Sequence, residues 1–569
     1  MKTVGKYLHP YIMRMILGVT IKFIGTMMDL VLPWILSYVI DTVVPSGSIA
    51  GIARYGGLML LCAAVCVVFN VTANRMAARV SKDVIKNLRH DLFQKISRLS
   101  FSAIDRYSVS SLVSRLTNDT YNVHQMFDKL QRGGVRAPLL VLGGITVTFL
   151  IDPVLALVLL LISPLMILTV YLVTKKGVPL YRQVQGRVEG LVRTVRENAS
   201  GVRVIKALSR TEHEIDRFTD VNTAVREAEK RAGTVMATSN PIIGLLLNTG
   251  LTAVILVGAY RVQAGQMQTG TIIAFLSYFT IILNATLTLT KMFVVWSKGS
   301  ASAQRIEEIL QSAEELPLAA AAPLQNDAYL VFDHVSFSYN GRRDDLCNIS
   351  FQLQRGQTLG IIGPTGSGKT TLLALLMRFY DPRRGAVYIG GRRVDTIPQS
   401  ELSAMFGVVF QNDVLLAESI YENISFMRGI SREQVERAAR AAQAWEFIKT
   451  LPDGLDTAVG IRGATLSGGQ RQRLLIARAL AGDPEILILD DAESALDYRT
   501  DADLRAAIRA SYQNVTLLVV SERISAIRSA DLILSLMGGT EEVSGTHEML
   551  MQQSAVYRKI AELQMGGQA

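Results

Sequence analysis

The chain has 569 residues, 49% of them hydrophobic and 19% charged, with a formal net charge of +10. That length excludes a single ordinary domain, and the apolar content excludes disorder. Three cysteines, Cys62, Cys66 and Cys347, make neither a disulfide framework nor a zinc pattern, which fits a reducing cytoplasmic face.

The opening stretch "MKTVGKYLHPYIMRM" has no short apolar core followed by a small-residue cleavage site. It reads as an amphipathic helix on a membrane surface, not as a cleaved signal. Six apolar stretches long enough to span a bilayer follow, near 14–42, 56–74, 135–151, 153–174, 241–260 and 271–296. Asp152 and Pro153 join the third and fourth with almost no loop, whereas long polar stretches separate the second from the third and the fourth from the fifth. From Arg75 to Arg136 there are 12 Lys and Arg, while the short loops on the opposite side hold little beyond Arg54 and Arg261. The positive-inside rule places the long stretches in the cytoplasm. The net positive charge then faces an anionic lipid leaflet, and no nucleic acid is expected as a partner.

The segments "RHDLFQKISRL" and "TEHEIDRFTDV" repeat apolar residues every three or four positions, so the membrane helices are expected to run on into the cytoplasm. Cys62 and Cys66, one helical turn apart, read as small packing residues. Lys22, Asp29 and Lys291 fall within or near spans. A charge there either faces a cavity or partner, or snorkels to an interface. Asn248, Tyr278, Asn284 and Trp296 are candidates for lining a pathway or for packing helices together.

After Trp296 the character changes. Residues 1–300 form the membrane half. Residues 301–328, charged and then rich in Ala and Pro, read as a helix end and linker. From 329 to 569, strand-like runs such as "YLVFDHVSFSY", "TLGIIG" and "EILILDD" alternate with helical patterns, as in an α/β domain with buried strands.

"GPTGSGKTT", Gly363 to Thr371, fits the phosphate-binding loop G-x-x-x-x-G-K-[ST] between an apolar strand and a helix. Gly363, Thr365, Gly366, Ser367, Gly368 and Thr371 would wrap ATP phosphates with backbone N–H groups, helped by the helix N-terminus. Lys369 would reach the β- and γ-phosphates, and Thr370 would ligate Mg²⁺. Asp490, closing a second apolar strand, suits the Mg²⁺ shell through water. In "LSGGQ", Leu466 to Gln470, Ser467, Gly468 and Gly469 open another helix with bare amides. One chain does not easily aim two helix N-termini at one γ-phosphate. Two chains facing head to tail do so, each lending this segment to the other's nucleotide.

These motifs together resemble a half-transporter of the ATP-binding cassette exporters. "GPTGSGKTT" resembles their Walker A motif, "ILILDD" their Walker B and "LSGGQ" their signature. The resemblance implies a six-helix membrane domain of type IV, then an α/β P-loop nucleotide-binding domain, with ATP hydrolysis coupled to transport. It implies that Gln411 in "VVFQND" ligates Mg²⁺ and senses the membrane domain, that Tyr339 in "FSYNG" stacks on adenine, and that Asp497 in "SALD" lies at a dimer interface. "GTHEML" also matches. By the same resemblance, loops near Tyr107–Leu112 and Ser209–Glu214 would be coupling helices. The expected cargo is a small amphipathic substrate or a membrane lipid, and the compact architecture favours a bacterial plasma membrane with a cytoplasmic cassette.

Two positions depart from the family pattern. Asp491 stands where Walker B carries Glu, and Glu522 in "VVSERIS" stands where the switch carries His. The first withdraws a carboxylate by roughly 1.5 Å, and a misplacement of ~1 Å can cost about a hundredfold in positioning a nucleophile. The second sets an anion near the γ-phosphate, a repulsion of about 3 kcal/mol at ~5 Å and an effective dielectric near 20. A poor own site beside an intact signature suggests a heterodimer whose partner retains Glu and His. The alternatives are a homodimeric lipid or drug flippase with slow turnover and a regulatory ATP-binding subunit that does not itself transport.

Overall fold

The structure is a computed structural model and describes residues 2–314, 316–319, 327–460, 463–493 and 495–565. The Ala/Pro-rich part of the expected linker, 320–326, and Ser494 of "SALD" lie outside the described residues. The chain divides into two compact units: Met1–Ser97 with Ser108–Ser312, and Arg98–Tyr107 with Ala313–Ala569.

The first unit is helical. Its principal helices are α1 (Ile12–Tyr38), α2 (Ile49–Ser97), α3 (Val135–Ile151), α4 (Pro153–Ala207), α5 (Ser239–Gln263) and α6 (Thr269–Leu310). Among the described residues, six helical runs are long and apolar enough to cross a membrane. At 1.5 Å per residue, α2 and α4 are ~70 and ~80 Å long, over twice a ~30 Å hydrocarbon core. The tight turn between α3 and α4 has a clear cause. Asp152 Oδ1 accepts from the Val154 and Leu155 N–H groups at 2.9 and 3.0 Å, Pro153 opens the helix, and Arg261 pairs with the same carboxylate at 3.1 Å. Helix α6 runs on to Leu310, ten residues into the stretch whose composition marks a linker.

The polar residues within this unit separate by role. Tyr278 is fully buried and donates to the Leu30 carbonyl at 2.6 Å, so it packs helices. Asn248 turns back on the Gly244 carbonyl of its own helix. Trp296 and Lys291 are exposed. Lys22, Asp29 and Asn284 line one cavity.

The second unit is built on ten strands: β1 (Leu330–Phe337), β2 (Leu346–Leu353), β3 (Thr358–Ile362), β4 (Arg384–Ile389), β5 (Arg392–Arg393), β6 (Phe406–Val409), β7 (Ile486–Asp490), β8 (Thr516–Val520), β9 (Leu532–Met537) and β10 (Thr540–Gly545). One antiparallel sheet has the order β2-β1-β4-β5. The other has the order β10-β9-β3-β8-β7-β6 and is parallel except for β10. Strands β7 and β8 are buried along their whole length, which is why their sequences are unbroken apolar runs. Because β3, β8 and β7 are adjacent and parallel, their C-terminal ends share one edge. The loops after them therefore meet, at the place where open α/β sheets bind ligands.

A short helix, Phe101–Tyr107, belongs to this second unit. Phe101 stacks on Phe379 with ring centroids 3.7 Å apart, and Tyr380 donates its hydroxyl to Asp105. A coupling segment is expected near Tyr107–Leu112; the helix that packs with the second unit ends at Tyr107, at the N-terminal edge of that stretch. Val109–Ser114 is a separate helix, capped by Ser108 and assigned to the first unit. The Ser209–Glu214 turn also lies in the first unit and is almost wholly exposed.

Candidate nucleotide site

The loop from Gly363 to Thr371 leaves β3 and enters α7 (Lys369–Leu376). Its backbone needs glycine: Gly366 and Gly368 have φ of +82° and +101°, a region where side chains are strained. A Cβ at Gly363 would strike the Leu536 carbonyl and the Ser367 hydroxyl, whereas one at Gly366 would meet only open space. Lys369 Nζ lies over the loop and donates to the carbonyls of Gly363 (2.6 Å) and Pro364 (3.1 Å). Ser367 Oγ is buried with no hydrogen-bond partner. A glycine cradle, a lysine and an orphaned buried hydroxyl fit a polyphosphate.

The loop forms one wall of a cavity of about 320 Å³. Lys369, Thr370, Gln411, Asp490, Asp491 and Glu522 all line it, as do Thr365, Gly366, Gly368 and Thr371. Residues 120 apart in sequence thus converge because β3, β7 and β8 end together. Thr370, Gln411 and Asp490 offer oxygen donors of the kind a hard divalent cation such as Mg²⁺ takes. Asp490 is 5% exposed. Burial and the neighbouring Asp491 hold its carboxyl above the usual range, while Lys369 and a hydrogen bond from the Gln411 backbone oppose that shift. Tyr339 stands at the rim. Its hydroxyl reaches Thr371 Oγ1 at 3.4 Å, and its ring meets Tyr380 edge to face at 5.1 Å.

Asp491 adopts left-handed backbone geometry, φ +51°, and donates its N–H to the Val520 carbonyl at 2.9 Å. Aspartate tolerates that region better than most side chains. Glu522 is exposed where β8 ends. Its carbonyl accepts from Gln564 Nε2 at 2.7 Å, and Gln564 Oε1 accepts from the Ile524 N–H at 2.8 Å. The helix Ala555–Met565 thereby pins the switch segment, a contact no local sequence signal marks.

A further carboxylate, Glu493, lies two residues beyond Asp491 and was not marked by any motif. It is 2% exposed, sits 3.1 Å from Arg505 and does not line the cavity. Burial pushes its carboxyl up to about 7, with Arg505 opposing. It is thus held away from the position that Asp491 leaves short.

Leu466 to Gln470 lie elsewhere and do not line this cavity. Ser467 caps α8 (Gly468–Leu480) in a capping box. Its hydroxyl accepts from the Gln470 N–H at 3.2 Å, and the Gln470 side chain accepts from the Ser467 N–H at 2.9 Å. The cap accounts for Ser467 and Gln470 but not for the glycines. A Cβ on Gly468 would meet nothing closer than 3.8 Å, and Ser467 and Gly468 face solvent. Asp497 likewise serves as a cap, accepting from the Thr500 N–H (2.8 Å) and hydroxyl (2.9 Å) at the start of α9 (Tyr498–Ser511).

Comparison with known proteins matches residues 15–286 to the ABC transporter transmembrane region and residues 346–494 to the ABC transporter domain. An ABC transporter ATP-binding protein of Bacillus subtilis, YfiB, is 34% identical over 562 residues, 98% of each chain. The chain belongs to the ABC transporter family. An ATP-dependent lipid A-core flippase of Methylobacillus flagellatus is 31% identical over 84% of this chain and 82% of its own length. A bacterial Atm1-family ABC exporter solved with ATP bound superposes with a TM-score of 0.82 at 26% identity, covering 98% of this chain and 99% of that one. This ABC transporter therefore has the exporter architecture: a six-span helical half followed by an α/β nucleotide-binding half. It is a multi-pass membrane protein of a family that couples ATP hydrolysis to export and works as dimers.

Proposed function

We propose that this chain binds ATP at a slow site of its own and completes the faster site of a different half-transporter. The observation that carries the reading is the pairing of Asp491 and Glu522 in one cavity with Lys369, Thr370 and Asp490. The binding residues are intact, and the two residues that would activate the attacking water are changed. Gly363 to Thr371 would grip the phosphates and Tyr339 would carry the adenine. Mg²⁺, held by Thr370, Gln411 and Asp490, would spread charge from the β- and γ-phosphates. Asp491 is too short to orient water as Glu would, and Glu522 repels the γ-phosphate where His would donate.

The solvent-facing Ser467 and Gly468, with the half-buried Gly469, would close over the partner's nucleotide, with Asp497 near the same seam. ATP binding would then draw two cytoplasmic cassettes together, and the Phe101–Tyr107 helix would carry that motion to the membrane helices. The exposed Ser209–Glu214 turn would meet the partner's cassette. The purified chain, assayed alone for phosphate release, is expected to bind ATP and hydrolyse it slowly. Brisk hydrolysis by the lone chain would overturn the asymmetric reading and favour a homodimeric flippase.

A further inference from the structure

Within the membrane unit, a cavity of about 590 Å³ lies among α1, α2, α3 and α6. Three cations line it, Lys22, Arg132 and Arg136, against one acid, Asp29. Asp29 is already engaged: Arg136 pairs with it at 2.8 Å, and the Cys66 thiol donates to its other oxygen at 2.8 Å. Arg132 pairs with Asp128, which is not in the cavity wall, and its buried Nε has no hydrogen-bond partner. Lys22 is 3% exposed, and its ammonium donates to the neutral Asn74 at 2.9 Å. No carboxylate among the described residues forms an ion pair with it. A buried cation in a cavity that holds three positive charges against one negative is costly unless something else supplies the missing charge.

The helix ends fix the level of this cavity. From Lys22 to Val43 is ~31 Å of helix, and from Arg136 to Ile151, or Thr269 to Asn284, is ~22 Å. Measured from the short-loop side marked by Asp152, its apolar wall begins ~16 Å in, at Leu32, Pro33 and Leu140, and its charged end at Lys22 reaches the far edge of a ~30 Å hydrocarbon core. That is the headgroup level on the side where α6 runs on to the nucleotide-binding unit. The volume suits a headgroup rather than a whole lipid. A zwitterionic headgroup brings its own cation and would leave Lys22 uncompensated.

We infer that this cavity receives the anionic, phosphate-bearing group of an amphiphile entering from that leaflet, with Lys22 and Arg136 as its principal contacts. The inference deepens the exporter reading, since it takes the cavity as the place where cargo enters. The direct test is binding without ATP. The full chain would be placed in nanodiscs of phosphatidylcholine carrying a small fraction of fluorescent phosphatidylglycerol, and retained lipid would be measured.

Retention of phosphatidylglycerol about tenfold above fluorescent phosphatidylcholine is expected. It should fall about tenfold in Lys22→Gln, fall further in Lys22→Gln with Arg136→Gln, and persist in Lys22→Arg. An unchanged melting temperature of the full chain, together with unchanged ATP binding, would show that each variant is folded in both units. Equal retention of the two lipids, or full retention in a folded Lys22→Gln variant, would overturn the proposal. Displacement of the lipid by millimolar inorganic phosphate would overturn the lipid source and uphold the anion chemistry. If phosphatidylglycerol binds as expected but ATP moves no lipid across proteoliposomes that hold the chain together with its partner, the exporter reading fails and the binding site stands.

Discussion

The loop after β3 and the start of α8 are both glycine-rich helix N-termini, yet their surroundings differ. Around the loop, the side chains proposed to hold phosphate are in place, and Asp491 and Glu522, proposed to face the attacking water, depart from the family pattern. Around Ser467 the family pattern is kept, and Gly468 faces solvent with no packing reason to be glycine. A site under no selection would lose its binding and chemical residues together. Under the proposed asymmetry, the contrast separates holding a nucleotide from cleaving it, with the two tasks on different faces of one cassette.

The largest expected effect breaks that contrast directly. In the transporter assembled with its partner, Ser467→Arg should lower ATPase activity by at least about a hundredfold, because the bulky cation fills the amide-lined N-terminus. Lys369→Ala should lower it only about threefold, because this chain's own site contributes little turnover. Equal losses would mean that the two faces serve identical sites. Restoring the altered pair should act in the opposite direction. Asp491→Glu with Glu522→His in the lone chain should raise phosphate release at least about tenfold, and no gain would show that the slow step lies elsewhere. A smaller effect is expected at the switch anchor. Gln564→Ala frees the backbone around Glu522 and should loosen ATP binding a few-fold by equilibrium titration, with Lys369 contacts intact.

The smallest effect is on stability. In the fold, Glu493 keeps its proton up to about pH 7, whereas the unfolded chain releases it near 4.5. Stability from this group is therefore lost as pH rises through that window. Glu493→Gln should raise the melting temperature by a few degrees at pH 8 and change nothing near pH 4.5. An equal shift at both pH values would assign the effect to packing instead.

Legibility in the sequence followed contiguity. Gly363 to Thr371 form their site from one unbroken segment, so the motif alone placed them. Asp490, Asp491 and Glu522 were legible because each ends a recognisable apolar strand. Gln564 and Glu493 were not, since their contacts are made by tertiary packing that no short pattern encodes. Hydropathy located the six spans but not where α2 and α4 end, because amphipathic helix continues well past the apolar run. The packing of the Phe101–Tyr107 helix was not legible for a related reason: Phe101 resembles any amphipathic residue until Phe379 is stacked on it. Lys22 was visible as a charge in an apolar run, but only the fold distinguishes a cavity wall from a snorkelling side chain.

The Phe101–Phe379 stack carries a practical consequence for anyone cutting the gene. Ten residues, Arg98–Tyr107, fold with the nucleotide-binding unit although more than 200 residues separate them from it in sequence. A soluble fragment begun at Ala313 would present Phe379 and Tyr380 bare to water, and such fragments invite self-association. Supplying the missing decapeptide in trans is the simplest remedy.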